Sequence, residues 1–246
     1  MKIAAVIPAY NEENSVAGIV KQTLKYVDHA IVIDDCSSDH TGWMAQRAGA
    51  EVWKHTTNKG AGAATRTGLE LARSFDIVIT LDADGQHDSD EIPKLIEPML
   101  EGKTDIVIGS RFVPRMIRAS RKANYLYNAS YAIEDYEYMK IPKYRKFGID
   151  IITWLYNFGY SYKVKDAQSC FRAYSRAFLN RLNIKENGFG FSVEILLKAR
   201  KMGLSITEVP ISCIYRNHKQ DSTLNPIRHG LEVAWKTIWW RCKLWS

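Results

Sequence analysis

Residues 77–87 read Ile77-Val78-Ile79-Thr80-Leu81-Asp82-Ala83-Asp84-Gly85-Gln86-His87. An unbroken run of β-branched and apolar residues, closed by a polar turn containing glycine, is the pattern of a short strand buried on both faces. Comparable runs stand at Ile3–Ile7, Ala30–Ile33, Glu51–Trp53 and Ile106–Ile108, each followed by turn residues. Between them, apolar and small residues recur at helical spacing: Val16, Ile19, Val20 and Leu24, then Ala64, Gly68, Leu69 and Ala72, then Leu95, Ile96, Met99 and Leu100. Alternating strand and helix predicts an α/β fold, a mostly parallel sheet flanked by helices, with those stripes as its core.

The chain has 246 residues and 46% hydrophobic content, enough for one substantial core, so the expectation is one domain over residues 1–225 and a tail over 226–246. Its 34 basic and 27 acidic residues leave a net charge of +7, which favours an anionic partner. The basic residues are not interleaved with aromatics in any nucleic-acid-binding pattern, so nucleic acid is not the expected partner. Cys36, Cys170, Cys213 and Cys242 are widely spaced and form neither a zinc knuckle nor a redox pair. The apolar opening Ile3–Pro8 is too short for a signal peptide, so a cytoplasmic protein is expected. No stretch reaches the roughly 18 to 20 apolar residues of a membrane span, which leaves peripheral contact with the cytoplasmic face of a membrane. After Ile108 the pattern loosens. Phe112–Lys146 is rich in Arg, Lys, Tyr and Asn and reads as a long loop or loose helical excursion. Regular patterning resumes with Ile149–Phe158 and a helical run at Ser192–Met202, and Ile206–Ile211, with Pro210 inside it, reads as an edge strand.

In an open α/β sheet the ligand sits beyond the carboxyl ends of the strands. Three polar clusters occupy that rim: Pro8-Ala9-Tyr10-Asn11-Glu12-Glu13, Asp34-Asp35-Cys36-Ser37-Ser38-Asp39 and Asp82-Ala83-Asp84-Gly85-Gln86-His87. Asp82 and Asp84 can share a divalent cation or divide metal and ribose between them, with Gln86 adding a neutral oxygen. Equally, Asp84-Gly85 can be a tight turn and Asp82 a cap for a helix near Asp90. Glu12 suits the positive end of the following helix as well as a ligand. Lys59-Gly60-Ala61-Gly62 offers either phosphate-binding N–H groups or close helix–sheet packing, and packing is favoured. Arg111 can fork onto a phosphate or form an ion pair. A nucleotidyltransferase is disfavoured, because Glu12-Glu13 stands where a basic pyrophosphate loop would follow the first strand.

Six segments in order carry a family resemblance: Pro8–Glu12, Asp34–Thr41, Asn58–Gly62, Asp82–His87, Ile108–Phe112 and Asp166–Arg172. Over residues 1 to 225 the chain resembles the family 2 glycosyltransferases of GT-A fold, most closely the dolichol-phosphate mannosyltransferase and polyprenyl-phosphate glycosyltransferase branch. The resemblance implies that Pro8, Tyr10, Glu12, Ile33 and Asp35 line a nucleoside pocket, and that Asp82, Ala83, Asp84, Gln86, Arg111 and Arg216 complete the nucleotide-sugar site. Asp82, Asp84 and Gln86 would hold Mg²⁺ or Mn²⁺ against the diphosphate. Asp84, Arg111 and Arg145 are the implied catalytic residues. The implied reaction moves a sugar, mannose favoured, with inversion from GDP-mannose or UDP-glucose to dolichyl or polyprenyl phosphate. A catalytically silent nucleotide-sugar-binding scaffold is the non-enzyme alternative. A lipid monophosphate is already anionic, so its attack needs positioning cations more than a strong base. Asp166 and Glu194 are either acceptor-side groups or partners that orient arginines, and orientation is favoured. Residues 112–147, longer than in compact relatives, form the expected acceptor-side excursion, and Cys170 replaces the usual glycine. His218–Ser222 matches the family only loosely. In the tail, Leu231, Trp235, Ile238 and Trp239 cluster on one helix beside Lys236, Arg241 and Lys243. That pattern suits either a helix lying on anionic lipid, which Trp240 and Trp245 favour, or one docked on the domain.

Overall fold

The computed structural model describes residues 1–114, 141, 143–213 and 226–245. Its first half alternates as expected. Strands β1 (Ile3–Ala9), β2 (His29–Asp34), β3 (Glu51–Lys54), β4 (Ile77–Thr80) and β5 (Ile106–Ser110) are separated by helices α1 (Val16–Thr23), α2 (Thr41–Arg47), α3 (Ala61–Leu71) and α4 (Ile92–Leu100). The second half adds α5 (Lys143–Asn157), β6 (Arg172–Ser175), α6 (Arg176–Leu179), α7 (Phe191–Lys201), β7 (Ile206–Pro210) and α8 (Pro226–Trp245).

The seven strands form one sheet in the order β3-β2-β1-β4-β6-β5-β7. β1, β2, β3 and β4 run parallel, as do β5 and β7, whereas β6 is antiparallel to both of its neighbours. β6 is a strand that hydrophobic periodicity does not reveal, since Arg172-Ala173-Tyr174-Ser175 has neither alternation nor an aliphatic run. It lies between β4 and β5, pairing Ile79 with Ala173 and Val107 with Ala173. β7 is the edge strand that Pro210 predicted, its last pair being Ser110 with Pro210.

Successive strand residues point to opposite faces, and both faces are buried. Ala4, Val6, Ile31, Ile33, Val78 and Ile106 join one core with residues of α3, α5, α7 and α8. Ala5, Ile7, Val32, Ile79 and Val107 join the other with residues of α1, α2 and α4. The result is a helix–sheet–helix sandwich of GT-A type, as expected.

One boundary differs from the sequence reading. α5 begins at Lys143, inside the 112–147 stretch; Tyr144 and Lys146 are exposed in its first turn, and its buried side starts at Ile149. The rest of that excursion, 115–140, lies outside the described residues. The tail is a helix, but it docks on the domain through Val233, Thr237 and Trp240, all buried. Trp240 is therefore a core residue and not, as its composition had suggested, a lipid-facing one; the side chain of Trp245 is outside the described residues.

α3 lies close on the sheet because Gly68 has no side chain: a Cβ there would stand 2.2 Å from Val6 Cγ1 and 3.2 Å from Ile33 Cγ1. Gly68→Ala is expected to destabilise the fold by about 1–3 kcal/mol through overpacking. Urea unfolding checks this as a lower midpoint at unchanged slope.

Candidate active site

The chain leaves β1 for β2 and β3 on one side, then returns to place β4 on the other side of β1. The carboxyl ends of β1 and β4 thus flank the topological switch point, where an open α/β sheet has its ligand crevice. All three polar clusters are brought together there: Asn11 N–H donates to Ser37 Oγ and Ser38 N–H to Asn11 Oδ1, at 3.0 and 2.9 Å. Ser15, at the start of α1, donates to the Ala83 carbonyl at 2.6 Å and lies 2.8 Å from a Glu12 carboxylate oxygen. Glu12 N–H in turn donates to Thr41 Oγ1 at 2.7 Å, which ties the first cluster to the end of β2. Burial pushes the Glu12 carboxyl above its usual range; its contact with Ser15 opposes this, and the nearby charges of Asp84, Asp39 and Asp82 push it further. The rim therefore concentrates negative charge in a protein that is basic overall.

At β4 the glycine turn is real. Gly85 has φ of 73°, a left-handed conformation that glycine adopts without steric cost, and Gln86 N–H donates to Asp84 Oδ1 at 2.9 Å. The turn does not exclude a ligand role; it fixes the direction of Asp84. The helix-cap alternative for Asp82 does not hold, because Asp88 accepts from Asp90 N–H at that helix start. Asp82 instead has a part-exposed carboxylate, 3.6 Å from Nε2 of buried His87. His87 packs on Phe171 and bridges to Cys213, so the sheet supports the acidic turn from beneath. Among the described residues, no group of three or more His, Cys, Asp or Glu side chains is arranged to hold a metal ion.

The β2 end is built differently. Asp35 is buried and its carboxylate accepts from Lys59 N–H at 2.9 and 3.1 Å and from Gly60 N–H at 2.7 Å, with His55 Nδ1 at 2.6 Å. It secures the entry to α3. Asp34 accepts from Ser37 N–H at 2.7 Å and lies 3.4 Å from Lys54 Nζ. Ile33 and Ala83 are core side chains, so any ligand contact at those positions runs through the backbone. Pro8 is half-buried in β1 and Tyr10 is exposed at the rim. The segment Lys59–Gly62 serves packing, as favoured from sequence: Gly62 and Ala63 N–H groups donate to the Asn187 carbonyl, and a Cβ on Gly62 would lie 2.5 Å from the Glu186 carbonyl oxygen.

Beyond β5, Arg111 makes the two-pronged ion pair that its position allowed. Its Nε and Nη2 donate to the two oxygens of Asp166 at 2.7 and 2.9 Å, and its backbone N–H adds a third bond at 3.2 Å. Asp166 is fully buried. Burial alone would raise its pKa, but the Arg111 charge and hydrogen bonds outweigh that and hold it below the usual carboxylate range. Asp166 thus orients an arginine, as expected, whereas Glu194 does not. Glu194, also buried, accepts from the N–H groups of Lys185 and Glu186 and pairs with Lys198.

Sequence reasoning missed Glu208 on β7, whose carboxylate accepts from Lys165 and Asp166 N–H groups at 2.7 and 3.0 Å. It also missed Arg172 on β6, fully buried and donating to the carbonyls of Ala167 and Ser192 at 2.8 Å each. A charged residue inside an edge strand and an arginine inside the sheet were the available signals. Arg145 lies on the first turn of α5, next to Lys146, whose ammonium is 5.3 Å from the centre of the Phe112 ring. α5 therefore starts beside the Arg111 loop. Arg216 and His218–Ser222 lie outside the described residues.

Residues 4–182 match the family model of glycosyl transferase family 2. The chain belongs to that family. It is similar to the UDP-N-acetylglucosamine:dolichyl-phosphate N-acetylglucosaminyltransferase of Methanococcus voltae, at 32% identity over 96% of this chain and 94% of that relative. It is similar also to the undecaprenyl-phosphate mannosyltransferase of Micrococcus luteus, at 29% identity over 97% and 98% of the two chains. Glucosyl-3-phosphoglycerate synthase from Mycobacterium tuberculosis, solved with Mn²⁺, UDP-glucose and phosphoglyceric acid, shares the fold of this family 2 chain. Its TM-score is 0.70 at 21% identity, over 96% of this chain and 79% of that structure.

Asp166 has a lowered folded pKa, so its stabilising contribution is complete above its ordinary value of 3.8 and is lost as pH falls through the folded value. Asp166→Asn, which leaves Arg111 without its charge partner, is expected to cost about 3–5 kcal/mol near neutral pH. In urea unfolding, the gap between variant and wild type should shrink when both are measured at about pH 3.

Proposed function

We propose that this family 2 glycosyltransferase moves a sugar from a nucleoside diphosphate to a polyprenyl or dolichyl phosphate, with inversion at the anomeric carbon. The observation that carries the reading is the division of charge across the rim: carboxylates at the ends of β1 and β4, an oriented arginine at the end of β5. A nucleoside offers hydroxyl and amino donors, for which Glu12 and the backbone around Tyr10 are suited acceptors. A diphosphate beside Asp82 and Asp84 would be repelled unless a cation stood between them. Asp82, Asp84 and Gln86 offer oxygen ligands on one turn, a donor set that would hold Mg²⁺ or Mn²⁺. That fit is supported by the negative charge of Asp82 and Asp84, which adds to burial in holding the Glu12 carboxyl above its usual range. When bound, such a cation neutralises the diphosphate as it leaves.

Arg111 and Arg145 have the acceptor phosphate as their task. A phosphate monoester near neutral pH is already an anion, so it needs orientation and charge screening, not a base. Arg111 is suited to this because Asp166 fixes its guanidinium plane, which leaves little side-chain entropy to be lost on binding. Arg145 and Arg216 are further phosphate partners in this reading. Attack from the face opposite the nucleotide forms the new C–O bond as the bond to the diphosphate breaks, so no sugar–enzyme bond is needed.

Mannose remains the favoured sugar, from GDP-mannose, with UDP-glucose next. The two relatives divide between mannose and N-acetylglucosamine by name, which makes UDP-N-acetylglucosamine a third donor to include in the test. The deciding experiment offers purified protein each donor with Mn²⁺ or Mg²⁺, with and without polyprenyl phosphate, and with a chelator control. Lipid-dependent release of one nucleoside diphosphate supports the reading and identifies the sugar. Donor binding without lipid-dependent turnover would move the acceptor elsewhere or leave a sugar-nucleotide-binding scaffold. Asp84→Ala is expected to lower turnover by about a hundredfold or more. Undiminished activity in that variant would remove Asp84 from the mechanism.

A further inference from the structure

Helices α5 and α8 are each apolar on two opposite sides. The inner sides, Ile149, Ile152 and Tyr156 of α5 and Val233 and Trp240 of α8, are buried, and Ile152, Tyr156, Val233 and Trp240 join the same core layer on one face of the sheet. The outer side of α5 carries Tyr144, Phe147, Ile151, Trp154 and Phe158; that of α8 carries Leu231, Trp235, Ile238 and Trp239. The spacings from Phe147 to Phe158 and from Leu231 to Trp239 each keep one helical face. Phe147, Trp154, Phe158, Leu231 and Trp235 are 61–68% exposed, an amount that large apolar side chains in a satellite core would not show.

The two outer sides form one surface. α5 and α8 pack on each other, and Arg241 of α8 donates to the carbonyls of Tyr156 and Phe158 at 2.7 and 2.6 Å, closing the last turn of α5. Because both helices bury their inner sides in one layer, their outer sides face away from the sheet in a common direction. A contiguous apolar patch of this kind marks an interaction surface.

We infer that this two-helix face docks flat on an anionic lipid bilayer. The inference rests in part on the lipid-phosphate reading above, and it extends the membrane contact from the tail to α5. Charge selects the occupant. Between them, the sequences of α5 and α8 carry Lys143, Arg145, Lys146, Arg228, Lys236, Arg241 and Lys243 against Asp150 and Glu232 alone. A basic surface rich in Trp, Tyr and Phe matches the headgroup region of an anionic membrane. A second copy of the same face would be repelled by like charge. Position agrees: α5 starts where Lys146 stands over Phe112, next to Arg111, so docking this face would bring the bilayer to the edge of the acceptor side. No helix of the described residues is long and apolar enough to cross a membrane, so an in-plane contact is the mode these helices permit.

The test uses the full chain and flotation with vesicles of phosphatidylcholine alone or mixed with phosphatidylglycerol. Binding is expected to the mixed vesicles, to weaken as salt is raised, and to be quenched in tryptophan fluorescence by brominated lipid. The double variant Trp154→Glu and Trp235→Glu is expected to lose about tenfold or more in partitioning, since each substitution replaces interfacial apolar area with a charge repelled by the lipid. Its turnover with a short, water-soluble prenyl phosphate should match wild type, which separates loss of docking from failure of the functional reading. Circular dichroism and thermal unfolding of the variant check that it folds. Absence of binding to either vesicle by the wild type would overturn the proposal. So would wild-type self-association, measured by sedimentation, that the double variant abolishes without any change in vesicle binding.

Discussion

Asp166 is a carboxylate without water, and the ends of β5, β6 and β7 are arranged around keeping it charged. A lone buried carboxylate would take up a proton. Here Arg111 supplies a paired charge and three hydrogen bonds, Ser169 N–H a further one at 3.1 Å, and the buried Arg172 adds positive potential from the adjacent strand. Glu208 holds the backbone on which Asp166 sits. Each partner comes from a different strand or strand end: β5, β6 and β7. The ion pair therefore reports the whole right-hand side of the sheet, and an error in register on any of those strands would leave a charge unpaired.

That constraint explains why β6 runs against its neighbours. The segment 166–171 must reach the carboxyl end of β5 to meet Arg111, and a strand that continues from there can only run back down the sheet. β6 then fills the gap between β4 and β5 and passes Arg172 through the interior, where Thr80 on β4 donates to the Cys170 carbonyl at 2.6 Å. The half of the sheet formed by β1 to β4 needs no such device: these strands are parallel, and the buried centres of β1, β2 and β4 are largely apolar.

This difference accounts for what could be read from sequence. Ile3–Ile7, Ala30–Ile33 and Ile77–Leu81 announce themselves because burial on both faces demands unbroken aliphatic runs. The turns that follow them, with Glu12, Asp82 and Asp84, were legible for the same reason, since polar residues directly after such a run have nowhere to lie but the rim. β6 was hidden because a four-residue strand centred on Ala173 and Tyr174 has no period to detect. Glu208 was hidden because its role depends on a loop 42 residues away in sequence. Asp35 shows the opposite limit: its place at the end of β2 was clear, but only the structure shows its oxygens committed to the start of α3 and to His55.

The net charge of +7 conceals two fields of opposite sign. Around the ends of β1 and β4 carboxylates cluster, their charges adding to burial in raising the Glu12 carboxyl, whereas the sequences of α5 and α8 carry more basic than acidic residues. Uniform positive charge would draw any anion to any part of the molecule. In the function proposed above, segregation would instead sort anions by what accompanies them: a diphosphate would reach the acidic turn only together with a cation, whereas a monophosphate anchored in lipid would be drawn to the basic side and find Arg111 already turned by Asp166. The order of charge along the rim would then do part of the substrate discrimination before any base or sugar is contacted. It does so with residues whose positions are set by the fold itself, because the same Asp166 that orients Arg111 would be intolerable in the core without it.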